Sequence, residues 1–173
     1  MKRDTVLIYR EEQKFAEWLR WLVCISMIVT ALLSALAFKK EFAGYYRPDT
    51  MEYIIAVVAG IGVPIAIAIL FYFLELETEV RADGLYIRLF PFHIRYKRFA
   101  ADQIAECYAR RYKPIREYGG WGIRCGLPGM GRAYNVSGNK GVQLVFKDGR
   151  KLLIGSQKAE KLQQAIRSII KCG

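Results

Sequence analysis

Residues Tyr53–Leu74, YIIAVVAGIGVPIAIAILFYFL, form a run of 22 residues without Asp, Glu, Lys, Arg or His. A helix of that length reaches about 33 Å, against a bilayer hydrocarbon core of roughly 30 Å. Upstream, Trp21–Phe38, WLVCISMIVTALLSALAF, is a second such run of 18 residues, with Arg20 before it and Lys39 and Lys40 after it. As a helix it spans about 27 Å. Both runs are expected to be helical, because a backbone in hydrocarbon can hydrogen-bond only to itself. Trp18, Trp21 and Phe38 stand where interfacial aromatics belong. The chain therefore reads as a membrane α-hairpin: an N-terminal segment over residues 1–20, spans over 21–38 and 53–74 joined by an external loop over 39–52, and a domain over 75–173.

Ala35-Leu36-Ala37 has the small-x-small spacing of a signal-peptide cleavage site. The preceding segment carries Asp4, Glu11, Glu12 and Glu17, unlike a short basic leader, so the first helix is expected to be retained. Ala31/Ala35 and Ala56/Gly60 are small pairs spaced for close helix approach. Ser26, Thr30 and Ser34 are expected to bond their own i−4 carbonyls, and Gly60, Gly62 and Pro64 to kink the second helix. The missing charge inside either span argues against an ion path or proton relay. Five basic residues precede the first helix and three occupy the hairpin loop, which by the positive-inside bias places both termini in the cytoplasm. Cys24, Cys107, Cys125 and Cys172 show no metal-ligand or C-x-x-C spacing, as expected of reduced cytosolic thiols.

The chain has a formal net charge of +11, and nearly all of it lies after residue 74, where 19 basic residues face 9 acidic ones. So basic a domain prefers anionic company, and beside a membrane the nearest anion is a lipid headgroup. The tether, and the lack of zinc-finger or RNP-type sequence, argue against nucleic acid. Strands are expected over Leu76–Ala82 and Leu85–Phe90 across the Asp83-Gly84 turn, then Phe92–Phe99, with His93 half-buried in it. Another is expected over Ile104–Tyr112, with Ile104, Glu106, Tyr108, Arg110 and Tyr112 on one face. Gly141–Lys147 and Arg150–Gly155 follow across Asp148-Gly149. Ser156 is placed to cap a helix ending near Ile170, with Ala159, Leu162, Ile166, Ile169 and Ile170 in one apolar stripe and Gln163 among the polar positions.

Tyr118–Gly141, YGGWGIRCGLPGMGRAYNVSGNKG, has eight glycines in 24 residues. It matches neither a phosphate loop nor a dinucleotide fingerprint. One reading is a long loop whose turn glycines flank one or two short strands. The other is a recognition loop in which glycines admit a ligand to the backbone while aromatic and guanidinium groups contact it. With the basic run before it, the candidate binding surface is Arg110, Arg111, Lys113, Arg116, Tyr118, Trp121, Arg124, Arg132, Tyr134 and Asn135.

The Phe90-Pro91-Phe92 strand break, the YGGWGIR run, the AYNVSGN run and the ending GVQLVFKDGRKLLIGSQ together resemble uncharacterised bacterial membrane proteins in which two transmembrane helices precede a pleckstrin-homology-like (PH-like) domain. The resemblance implies an antiparallel β-roll or barrel closed by a C-terminal amphipathic helix, in a multi-pass protein of the bacterial cell membrane. It implies no activity, because PH-like scaffolds bind lipids, peptides or proteins. The expected function is therefore non-enzymatic membrane-anchored binding or scaffolding, contacting anionic lipid headgroups or a partner protein. A subunit of a larger transport or secretion assembly is the alternative, followed by a membrane-surface enzyme. No catalytic, metal or cofactor-binding residues are assigned: there are no paired carboxylates on a helix, no Ser/His or Cys/His arrangement and no ligand spacing.

Overall fold

The computed structural model describes residues 6–15, 17–42 and 50–171. Residues 43–49 of the expected external loop, and Cys172, lie outside them. The chain divides into two compact units, Phe15–Phe73 and the segments on either side of it.

The first unit is helical. Helix α1 runs Glu17–Phe42; helix α2, Thr50–Val57, passes through a π-helical turn, Val58–Gly62, into α3, Val63–Phe73. The π turn has a local cause. Pro64 has no N–H, and in a regular helix its ring would press on the carbonyl four residues back, that of Gly60. The wider turn just before it, in which Val63 N–H reaches back to Val58 O, loosens that stretch of backbone. Helices α1 and α3 pack antiparallel, since Arg20 Nη2 donates to Tyr72 O at 3.1 Å and Cys24 Sγ lies 3.9 Å from Ala68 O. Ala31 is buried whereas Ala35 is exposed, so only one of the expected small pair packs. Thr30 bonds the Ser26 carbonyl four residues back, as expected, whereas Ser26 bonds that of Val23, three residues back. Among the described residues, one helical stretch, Ile54–Phe73, is long and apolar enough to cross a membrane, and Arg20–Leu36 is a shorter apolar one. Leu33, Leu36, Ile55 and Ile69 are each more than half exposed.

The second unit is mixed α+β, with two sheets and a C-terminal helix. The first sheet has the order β1 (Leu7–Lys14), β2 (Glu75–Arg81), β3 (Gly84–Phe90), β4 (Lys97–Ala100), all antiparallel. Strand β1 lies in the segment that the sequence sets apart as N-terminal. Its register pairs Glu11 with Thr78, Gln13 with Leu76 and Lys14 with Glu75. Its inward side chains, Glu11 and Gln13, are polar, so no apolar alternation announces a strand. They are buried because they bond the junction before the last helix. Glu11 accepts from Ser156 Oγ at 2.6 Å and from the Gln157 N–H at 2.8 Å, and Gln13 Nε2 donates to Gly155 O at 2.6 Å.

The second sheet runs β5 (Ile104–Arg111), β8 (Lys140–Phe146), β9 (Lys151–Gly155), β7 (Arg132–Asn135), β6 (Gly122–Cys125), with a short helix α4 (Pro114–Tyr118) between β5 and β6. It is not wholly antiparallel. Strand β9 turns back from β8 through Asp148-Gly149 and slots beside β7, which already runs opposite to β8, so β7 and β9 are parallel. The two ladders do not join into a closed barrel among the described residues. The strand expected over Phe92–Phe99 is confined to β4, because Pro91 and a turn follow β3; His93 lies in that turn. The alternation expected in Ile104–Tyr112 holds only in part: a bulge between Ile104 and Glu106 puts Ile104 inward with Cys107, while Glu106, Tyr108 and Arg110 still share the face that points away from the core.

Helix α5 (Ala159–Lys171) follows its cap as expected: Ser156 Oγ accepts the Lys158 N–H at 3.0 Å. Ala159, Leu162, Ile166 and Ile169 are buried against the sheets, and burying an aliphatic side chain of this size contributes about 1.5–3 kcal/mol. Gln163 is not on a free polar face, because its Oε1 accepts the Ala109 N–H of β5 at 3.1 Å. Glu11→Ala removes one acceptor shared by the Ser156 hydroxyl and the Gln157 amide in a buried setting. It should lower stability by about 1–3 kcal/mol in thermal melts of the full chain, while Glu12→Ala, on the exposed face of the same strand, should cost under about 0.5 kcal/mol. Equal melting of the two variants would show that β1 does not hold the helix junction.

Candidate functional site

The ten residues proposed from sequence divide into a structural group, an exposed group and a pair that borders a cleft. Tyr118 is buried with Tyr112, Ala133 and Leu153 in a small cluster on the outer face of the second sheet, with Met130 against it. The glycine-rich segment folds over that face. Gly126 is required there, since a Cβ would come within 2.7 Å of the Tyr118 ring and of Met130. Asn135 is buried and its Nδ2 donates to the Tyr112 hydroxyl at 3.1 Å. Arg110 is fully committed, donating to Glu117 Oε2 at 2.8 Å, Gln143 Oε1 at 3.1 Å and the Tyr118 hydroxyl at 3.1 Å. The turn-loop reading thus accounts for Arg110, Tyr118 and Asn135 as packing residues. Trp121 and Arg124 close their own loop: the indole donates to Gly138 O at 3.3 Å and Arg124 Nε to Trp121 O at 2.9 Å. Arg111, Lys113 and Arg116 are exposed on and after β5, and Arg111 lines a separate small cavity with Arg110, Lys140 and Glu160.

Arg132 and Tyr134 belong to a different arrangement. A cleft of about 520 Å³ opens between β4 of the first sheet and the β7–β9 end of the second. Lys97, Arg132, Arg150 and Lys151 line it, and no carboxylate does. Its apolar wall includes Phe99 and Phe146, whose ring centroids stand 5.6 Å apart. Lys97 Nζ donates to the Tyr134 hydroxyl at 3.1 Å, which fixes one ammonium at the wall. Arg150 is held by Asp148 at 2.6 Å beside the opening. Arg132 and Lys151 have no anionic partner among the described residues. The wall opposite β4 is tight backbone: Gly131 has φ +78°, and a Cβ there would meet Lys151 O at 2.0 Å. Only glycine allows the loop to approach β9 so closely.

An anion entering this cleft would exchange water for ammonium and guanidinium donors with no competing acid on the lining, and guanidinium geometry favours phosphate or carboxylate oxygens. The candidate surface drawn from sequence leaves out Lys97, Arg150 and Lys151, of which Lys97 counts only with Arg95 and Arg98 as a basic run near the bilayer. They sit in a short edge strand and a hairpin turn, where solvated basic residues are ordinary, and only the packing of β4 over β7 and β9 gathers them. Among the described residues no three His, Cys, Asp or Glu side chains converge as metal ligands would.

A family model described as a family of unknown function, DUF6141, matches residues 1–172. The chain belongs to DUF6141. No curated protein and no solved structure matches it.

The structural role of Arg110 in this DUF6141 chain has a pH signature. Burial pushes the Glu117 carboxyl up, but the Lys113 N–H and the Arg110 guanidinium outweigh it and hold the group below its ordinary range. A depressed carboxyl stabilises the fold fully above its unfolded value, about 4.3, and loses that contribution as pH falls through the lower folded value. Glu117→Gln should therefore melt below the native chain at pH 7, with the gap narrowing steadily from pH 4.5 downward. A gap independent of pH would mean that Glu117 acts through shape and not charge.

Proposed function

We propose that this chain is a non-enzymatic, membrane-anchored binding protein of the bacterial cell membrane: a two-span hairpin carrying a basic PH-like domain on the cytoplasmic face. The observation that carries the reading is the pairing of β1 with β2. It places the residues before and after the apolar unit in one sheet, with Lys14 opposite Glu75. A chain that crosses a bilayer at Ile54–Phe73 must then cross it once more between Lys14 and Ile54. Helix α1, 26 residues long, is the element available for that crossing. The apolar exposure of the helical unit and the basic residues flanking it fit the same arrangement.

The PH-like assignment draws support from a four-strand meander facing a second sheet, with a C-terminal helix packed on both. The parallel β7–β9 pair and the unjoined edges depart from a regular roll. Within that scaffold the cleft lined by Lys97, Arg132, Arg150 and Lys151 is the binding site we favour. Its ligand class is an anionic lipid headgroup, which a tether would present at high local concentration.

Topology is tested by single-cysteine labelling of intact cells with a membrane-impermeant maleimide. Tyr45→Cys should label, whereas Glu12→Cys and Lys151→Cys should both be spared until the cells are permeabilised. Opposite accessibility of Glu12→Cys and Lys151→Cys would end the hairpin reading.

Binding is tested on the full chain in detergent with dihexanoyl phosphatidylglycerol against dihexanoyl phosphatidylcholine as soluble probes. A cation near an anionic surface contributes roughly 1 kcal/mol, so the double variant Arg132→Gln/Lys151→Gln should weaken phosphatidylglycerol binding by about tenfold or more. Rising salt should weaken native binding similarly, by screening. The double variant Arg111→Gln/Arg116→Gln, away from the cleft, should leave it within about twofold. Equal affinity for the two lipids would remove headgroup charge as the ligand and make a protein partner the leading reading.

A further inference from the structure

The turn between β3 and β4 presents large apolar side chains to solvent. Phe92 is 59% exposed and Ile94 82%, beside Phe90 at 39%. The base of this turn is firmly held. His93 N–H donates to Leu89 O at 2.7 Å, the His93 ring packs 5.8 Å from that of Tyr134, and the Tyr96 hydroxyl donates to the Glu77 carboxylate. The turn is thus pinned to both sheets at His93 and Tyr96 while Phe92 and Ile94 are left bare. Apolar tips on a fixed base are pre-organised to enter an apolar phase, since little ordering cost remains at the moment of contact.

Register says which end of the sheet they occupy. Glu75 pairs with Lys14 on one side and with Phe90 on the other. Lys14 is three residues before α1, and Glu75 is two residues after α3. The turn therefore leaves the sheet at the same end as both chain connections to the apolar helices. The Asp83-Gly84 turn lies at the other end, a seven-residue strand away, about 20 Å. Charge agrees with position. Arg95, next to Ile94, is exposed and has no anionic partner among the described residues.

We infer that Phe92 and Ile94 insert into the acyl boundary of the bilayer the helices cross, with Arg95 at the level of anionic headgroups. The turn is then a second membrane contact, and it fixes the orientation of the β domain on the surface. A shallow apolar wedge beside a cation is the combination that interfacial elements use. This inference rests on the membrane reading given above.

The test uses the full chain, with native cysteines replaced by serine or alanine, in nanodiscs of phosphatidylcholine and phosphatidylglycerol. An environment-sensitive fluorophore is placed at Ile94→Cys, and at Ala82→Cys as the exposed control at the far end of the sheet. Dibrominated acyl chains should quench the Ile94 probe several-fold more than the Ala82 probe, with a blue-shifted emission at Ile94 only. Phe92→Ser should reduce the quenching at Ile94. A probe at Ile94 as aqueous as that at Ala82 overturns the inference. So does a blue shift without bromine quenching, which would mark contact with protein instead. Alkaline extraction of native membranes separates the two levels: a chain released by alkali has no transmembrane anchor and both readings fall. A chain retained with an aqueous Ile94 loses only this one.

Discussion

Strand β1 reaches its partner β2 across some sixty intervening residues, and most of the second unit depends on that pairing. Closing a flexible segment of this length costs on the order of 3–4 kcal/mol beyond a length-independent constant. Two packed helices shorten the effective loop, and the ladder from Leu7 to Lys14 offsets the remainder. What the pairing gains is local to the other end of the chain. Glu11 and Gln13 bond Ser156, Gln157 and Gly155, so the start of α5 is fixed by residues more than 140 positions earlier. Without β1 the Ser156 hydroxyl and the Gln157 N–H would lose their acceptor and the Gly155 carbonyl its donor, and a buried unpaired polar group costs more than the bond itself contributes.

The same strand contributes two of the cations that balance the first sheet. Strand β2 carries Glu75, Glu77 and Glu79 on one face, an unpromising density of like charge for a strand. Each is matched: Lys14 approaches Glu75 at 3.6 Å, Arg88 meets Glu77 at 2.5 Å, and Arg81 meets Glu79 at 2.6 Å with Arg10 farther off. Burial pushes the Glu77 carboxyl up, but Arg88 and Tyr96 outweigh it and hold the group low. The acidic residues of β2 are therefore spent within the first sheet. None remains to neutralise the cations on the cleft between the sheets, and the domain's net positive charge is felt there.

How much of this was legible in the sequence depended on whether a residue's neighbours were near it in the chain. The Asp83-Gly84 and Asp148-Gly149 hairpins, the Ser156 cap and the Ile166 stripe are decided within a few residues, and they stand where the sequence puts them. Strand β1 was invisible because its inward positions are Glu and Gln, chosen for partners at the far end of the chain. The strand through Ile104 misled at its first position, because a single bulge before Glu106 shifts the period-two pattern by one and puts Ile104 on the face opposite Glu106, Tyr108 and Arg110. The parallel β7–β9 pair follows from a late strand slotting between two earlier ones, which no local pattern records. Among the candidate binding residues, a basic or aromatic side chain in a glycine-rich stretch looks alike whether it is packing or binding. Only the committed bonds of Arg110 and the burial of Tyr118 and Asn135 assign them to packing.

Tyr134 joins the two surfaces that remain. Its hydroxyl accepts from Lys97 on the cleft wall, and its ring carries His93 at the base of the apolar turn. Lys97 is also only three residues beyond Ile94, so the tether between turn and cleft is short as well as packed. Seating Phe92 and Ile94 in an apolar phase would hold the backbone that leads into Lys97. An anion drawn to the cleft would in turn fix the ammonium from the other side. Two contacts that share a rigid element help each other, because whichever forms first has already met part of the ordering cost of the second. A buried tyrosine between an apolar turn and a basic cleft thus makes one surface of two features that are weak apart.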